Sequence, residues 1–318
     1  MVSRRTNITA GFLGLAALPL LWPASPAPPW SAPAPPWGAG GHRMAARAAV
    51  SVLPEEVPAF FREAGEQLVY LNPEPDRWRI SAHEEMDQAF AYDHYIDMEN
   101  VPQGALDAPN RFAFLSILYD AGIPQPERDV GFLPYRILEI YQRLVTEWRL
   151  WRAEEDPVRR EWIAQRIIND AGILGHYVTD ASQPHHTTIH FNGWALGAPN
   201  PERFTRDPRF HARFERYFVD AHVTDADVAE FMGSAPPTPV VGWAKEAVLA
   251  HILQAHQLVE ALYRLEREIG FDPDDPAEPA TVEFAASRIA AGGQMLAALW
   301  FSAWLESADE PSRGGPEA

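Results

Sequence analysis

The sequence predicts an all-α protein, a single domain of many helices. From His42 onward apolar residues recur at helical spacing, with no sustained strand-like alternation. Pro and Gly punctuate the gaps, as in Gly122-Ile123-Pro124 and Gly197-Ala198-Pro199. Apolar residues make up 47% and charged residues 22% of 318, which supports a sizeable core and excludes a disordered chain.

The N-terminus reads as a segment outside this domain. Arg4 and Arg5 precede an apolar stretch from Ile8 to Trp22, broken by Pro19. That pattern fits an export signal over 1–22 and is too short and interrupted for a membrane span. Ser3-Arg4-Arg5 adds a faint twin-arginine pattern. Residues 23–36, nearly all Pro, Ala and Ser, form a stiff linker. The expected location is therefore secreted or periplasmic, with no membrane anchor once the signal is removed. The domain should occupy 37–308, and the polar 309–318 a frayed tail.

Within the domain, candidate helices cover 42–52, 55–70, 110–121, 131–153, 157–182, 208–221, 225–232, 240–268 and 281–306. The run from Phe284 to Leu305 is rich in Ala and Trp but carries Arg288 and Gln294, so a buried helix is expected there. Most of the Trp residues sit on helical faces and are read as core.

Charge and cysteine content narrow the chemistry. The net charge of −18 is the wrong sign for a dedicated duplex-DNA binder. If the chain handles phosphates, something besides Lys and Arg must supply positive charge. The absence of Cys excludes disulfides, thiolate zinc fingers, cysteine nucleophiles and Cys-bound iron–sulfur clusters. A metal site must then use His, Asp, Glu and backbone atoms.

Such residues recur at ligand spacing. His176 and Asp180 lie four apart on one helix face, and Pro184 ends that helix, so His186 can fold back beside them. His211 and Glu215 repeat the spacing on another helix. Asp76 and His94 stand in segments that also hold Arg77, Trp78, Arg79 and Tyr95. His42 closes Trp37-Gly38-Ala39-Gly40-Gly41-His42. One His/acid pair is ordinarily a solvated helix face; two, joined by a Gln183-Pro184-His185-His186 break, are better read as ligands. Imidazole and carboxylate are what zinc takes when thiolate is absent.

In this order the motifs resemble those of the zinc-dependent phospholipase C and S1/P1 nuclease superfamily. The likeness runs from Trp37 to about Glu215. It implies an all-α fold around three zinc ions. The first would be held by Asp76, His94, His176 and Asp180, the second by His186, His211 and Glu215. The third would take His42, Asp180, and the amine and carbonyl of Trp37 as the mature N-terminus. Trp37 follows Pro35-Pro36, a poor cleavage site, and earlier cleavage would remove the amine ligand. The resemblance also implies phosphodiester hydrolysis by a metal-activated water, with no cofactor but zinc and no stable protein partner.

Two details are nuclease-like. Arg79 stands three after Asp76, where it would stabilise the transition-state phosphate, and Tyr95 with Asp97 would stack and hydrogen-bond an unpaired base. That branch implies single-stranded DNA or RNA as substrate and 5′-phosphorylated products. Glu215, where fungal nucleases use Asp, is phospholipase-like, as is the Phe210 to Glu215 stretch; a phospholipase C acting on lipid headgroups is the alternative. A non-catalytic zinc-binding protein of the same fold is a third reading. His185 could exchange with His186, although the family spacing selects His186. His190 is a candidate substrate or supporting group; His83, His222, His251 and His256 are read as structural or solvent-facing.

Overall fold

A computed structural model describes residues 38–308; Trp37 and the expected signal, linker and tail lie outside them. Every regular element among the described residues is helical. The all-α expectation holds, with changes where short-range signals end helices.

Three long helices form the frame: Leu133–Ala153, Pro157–Asp180 and Pro279–Glu306. Asp156 starts the second, its carboxylate accepting from the backbone N–H groups of Val158 and Arg159, with Pro157 at the first helical position. Asn110 does the same for Arg111–Asp120, and a Thr224/Asp227 capping box starts Asp225–Met232. The expected helix over 55–70 divides into Ala59–Glu63 and Gly65–Leu71, because Ala64 leaves helical ψ. That over 240–268 becomes Ala244–His256 and Val259–Glu268, separated by a turn at Gln257 and Leu258. Glu74–Arg77, Glu84–Ala91 and Pro126–Asp129 carry no extended apolar period and escape a sequence reading.

Two apolar clusters hold the frame. Phe61, Trp148, Leu174, Tyr177 and Trp300 lie in the larger. The Trp300 indole N–H donates to the Ala171 carbonyl at 3.1 Å, so its polar atom is satisfied inside the core. The smaller gathers Phe210, Phe214, Phe218, Tyr263 and Phe271 against Met44 and Ile289. Helix Pro279–Glu306 serves both and is buried as expected; among the described residues no helix is long and apolar enough to cross a membrane. Trp162 departs from the core reading at 63% exposure.

The half of Pro157–Asp180 from Asp170 onward is buried on all sides. Glycine permits this. A Cβ on Gly172 would overlap Leu71 and one on Gly175 would overlap the Asn72 amide, so the end of Gly65–Leu71 can press directly on this helix.

Glu147 is a buried carboxylate between two of the long helices, with Oε2 unpartnered. Burial, then the nearby Asp170 charge, raise its pKa from 4.5 to about 7, against Arg166 and Arg143. A pKa raised on folding means that the folded chain holds this proton more tightly. Its stabilising effect is complete below the unfolded pKa and is lost as pH rises through about 7. Glu147→Gln should therefore melt like wild type at pH 4 and a few degrees higher at pH 8. A pH-independent difference in calorimetric melting would refute the assignment.

Candidate metal centre

The turn after Pro157–Asp180 builds the centre. His176 and Asp180 occupy its last turn. The Ser182 hydroxyl donates to the Thr179 carbonyl and the Gln183 N–H to that of Asp180, reversing the chain. Gln183 then accepts from the His185 N–H and starts the short helix Pro184–Thr187. His186 returns to place Nδ1 3.6 Å from Asp180 Oδ1. Two reciprocal bonds join this segment to that of His94: His186 Nδ1–H to the His94 carbonyl at 2.7 Å, and Ile96 N–H to the His186 carbonyl at 2.9 Å.

The other ligands arrive from separate helices. His42 lies in Ala39–Ser51. Its ring stacks on His176 at 4.1 Å between centroids, and Nε2 is 3.5 Å from Asp180 Oδ1. Asp76 lies in Glu74–Arg77, with Oδ1 3.8 Å from His176 Nε2. His211 and Glu215 meet at 2.9 Å where the expected helix over 208–221 changes winding, with a π-helical segment Arg213–Phe218 in its middle. The Gly38 N–H donates to the Glu215 carbonyl at 3.3 Å, tying the start of the His42 helix to this segment.

Three groups of ligand atoms result, each within 4.8 Å: His42, His176 and Asp180; Asp76, His94 and His176; and His186, His211 and Glu215. Asp180 Oδ2 is also 3.0 Å from His94 Nδ1 and 3.4 Å from His176 Nε2. Every ligand expected within the described residues is thus brought to one place. Only Asp76 is more than slightly exposed, its side chain at 17%.

These residues fit a divalent ion. His42 has neither ring nitrogen partnered, and Asp76 Oδ1, Asp180 Oδ1, His186 Nε2, His211 Nε2 and Glu215 Oε1 are also buried without hydrogen-bond partners. Donor atoms without donors of their own suit a cation. His176 Nδ1–H donates to the Asn72 carbonyl at 3.0 Å, and His186 Nδ1–H to that of His94, so both rings turn an Nε2 lone pair into the centre; that of His186 is unpartnered and that of His176 lies 3.0 Å from His94 Nδ1.

The electrostatics agree. Burial pushes Asp76 and Asp180 well above the usual carboxylate range and holds His94 and His176 well below the usual imidazole range. Burial, then the His186 charge, lower His42 to about 3. Burial alone would raise Glu215, but the His211 and His186 imidazoles outweigh it and hold the carboxyl at about 2.

Arg79 is half-buried and lies close enough for its charge to act on Asp76, His94 and Asp180. The half-buried Tyr95 donates its hydroxyl to the Arg128 carbonyl at 2.6 Å. Asp97 is buried, with Oδ1 unpartnered. His185 lies outside the three groups, its ring among Phe210, Phe214 and Tyr263. His190 stacks on Trp194 and accepts from the Ala195 N–H; His251 and His256 face the Val178 and Thr187 carbonyls, and His222 that of Asp272. His83 is exposed. A sequence reading misses Asn72, a lone Asn before Pro73, and the contact of Gln183 Nε2 with Glu215 Oε2 at 3.0 Å.

No family model and no curated protein matches the chain. Among solved structures it is similar to Clostridium perfringens alpha-toxin from avian strain SWCP, at 13% identity and a TM-score of 0.37. The match covers 91% of this chain and 68% of that one. So distant a likeness carries no functional inference by itself.

Asp180 faces His42, His94, His176 and His186, whereas His42 faces His176 and Asp180. Asp180→Asn should therefore lower bound zinc more than His42→Ala does. Equal zinc content in Asp180→Asn and wild type, by elemental analysis of dialysed protein, would contradict a shared ligand.

Proposed function

We propose that the chain is an exported zinc-dependent phosphodiesterase. The observation that supports this most strongly is Asp180, a fully buried carboxylate shared among imidazoles from four segments of the chain. Asp76, His94, His176 and Asp180 would hold one ion; His186, His211 and Glu215 a second; His42 and Asp180, with Trp37, a third. Zinc supplies Lewis acidity toward a phosphoryl oxygen and lowers the pKa of water from 15.7 to about 7. Its positive charge also answers how so acidic a chain would attract an anionic diester.

The chain's own groups divide the remaining work. The Asn72 and His94 carbonyls orient His176 and His186. Arg79 places a guanidinium near Asp76, His94 and Asp180, where it can pair with two phosphate oxygens as charge develops.

Single-stranded nucleic acid is the substrate this reading favours, with 5′-phosphorylated products. The bond from Tyr95 to Arg128 pins the ring against which a base would stack, and Asp97 offers an unpartnered oxygen two residues on. A stacked base must be free of its complement, so single strands should be preferred. Glu215 keeps the phospholipid alternative in view.

Elemental analysis should find about three zinc ions per chain, or about two if Trp37 is not the terminus. Hydrolysis of denatured DNA, RNA, native DNA and phosphatidylcholine vesicles, with and without chelator, tests the substrate. Denatured DNA and RNA should be cut fastest, and chelator should abolish the reaction. Arg79→Ala should lower turnover about 100- to 1,000-fold with zinc content unchanged. Phosphocholine release without cleavage of either nucleic acid would replace the nuclease reading with the phospholipase one. Full zinc content with no hydrolysis of any of them would favour a non-catalytic protein.

A further inference from the structure

His94 stands in a turn of 3₁₀ helix only three residues long, Tyr92–His94, which is too short to orient a side chain by itself. The backbone on either side is fixed. The Phe132 N–H donates to the Tyr92 carbonyl at 2.7 Å, the Leu133 N–H to that of Tyr95 at 3.2 Å, and the Asp97 N–H to that of Val130 at 2.7 Å. Asp93, next to His94, adds contacts of its own from a buried side chain. Its Oδ1 accepts from Arg111 Nη1–H at 2.9 Å, and its Oδ2 lies 3.5 Å from Arg136 Nε. Arg111 is itself held by a fork, its Nε–H and Nη2–H each donating to one Glu139 oxygen at 2.7 Å. The Arg136 guanidinium lies 5.2 Å from the centre of the Tyr177 ring. That ring packs 5.3 Å, between centroids, from both the His94 and the His176 rings. The two arginines thus bear on His94 twice, through the main chain at Asp93 and through Tyr177. Desolvation offsets most of the attraction in such a buried ion cluster, and apolar side chains often match it in stability. With the backbone already fixed, the fold has little need of this one.

We propose that Asp93, clasped by Arg111 and Arg136, is a positioning residue for His94. The carboxylate fixes the rotation of the turn, and Arg136 backs the Tyr177 ring against which both imidazoles rest. His94 Nδ1 stands 3.0 Å from both Asp180 Oδ2 and His176 Nε2, so a small rotation of the turn would withdraw it from the Asp76, His94 and His176 group. The inference rests on the metal reading above but concerns side chains outside the ligand set.

The test uses the full chain, stripped with EDTA and titrated with zinc against a competing chelator. Asp93→Ala strands two guanidinium groups, so it should lower the melting temperature of the metal-free protein and weaken part of the zinc about 10- to 100-fold. The triple variant Asp93→Leu/Arg111→Met/Arg136→Met replaces the clasp with apolar side chains and leaves Glu139 to solvent, where its side chain is already 42% exposed. Its melting temperature should return to the wild-type value or above while its zinc affinity stays weak. Recovery of both would show that the clasp only supports the fold and would overturn the proposal, as would wild-type zinc affinity in Asp93→Ala. Should the triple variant not fold, Asp93→Asn decides. It keeps an oxygen for Arg111 and should bind zinc more tightly than Asp93→Ala; affinity as weak as in Asp93→Ala would refute positioning. Long-range proton–nitrogen spectra of the metal-free imidazoles supply a readout without zinc. In Asp93→Ala the His94 and His176 signals should shift, while those of His222, which faces the Asp272 carbonyl, stay in place. If wild type binds no zinc the metal reading fails, and these spectra still decide the role of Asp93. Unchanged His94 signals, or equal shifts in all three rings, would refute it.

Discussion

A carboxylate buried among imidazoles is the constraint on which the centre depends. Asp180 sits at the end of a helix whose last turns have no solvent around them. Taking its charge out of water is expensive, and burial holds the His42, His94 and His176 rings beside it well below the usual imidazole range. Neutral rings cannot repay an anion, whereas a dication can, and it would use the same lone pairs that lack partners. A bound ion and the ionised ligand set would therefore depend on each other. Glu215 differs because His211 and His186 already oppose its burial.

The surrounding fold delivers these groups from distant parts of the chain. Glycines 172 and 175 let the end of Gly65–Leu71 reach the buried helix, which brings Asn72, and with it Asp76, to the same level as His176. The two bonds between the His94 and His186 segments fix those rings relative to each other. Aromatic residues of the smaller core support the His211 turn from behind. Apolar packing thus supplies the rigidity, and a few backbone carbonyls supply the aim.

Much of this was legible because its signals are local. The i, i+4 spacing of His176 and Asp180, the break at Pro184 and the repeated spacing at His211 and Glu215 each constrain the chain over a single turn. The long helices were legible through their apolar period, although two periodic stretches hid the breaks at Ala64 and at Gln257. What escaped the sequence depends on tertiary approach. Asn72 has no neighbours in sequence that mark it, and its role arises only when Gly175 comes against it. The π-helical winding under Glu215 leaves the i, i+4 pattern intact and so cannot be seen in it. His185 and His186 differ by one residue, and the turn decides which faces the carboxylates. Trp37, the signal and the tail lie outside the described residues.

The bond between the Gly38 N–H and the Glu215 carbonyl joins positions more than half the length of the chain apart. Its sequence separation exceeds that of His42 from Asp180, and both far exceed the reach of a local hairpin. Contacts of such high order form only after the loop-closure entropy of everything between them has been met. A growing or unfolded chain can present single His/acid pairs as weak, isolated chelates, but the full centre belongs to the late stages of folding. Incorporation of an ion at this centre would thereby be coupled to completion of the tertiary structure.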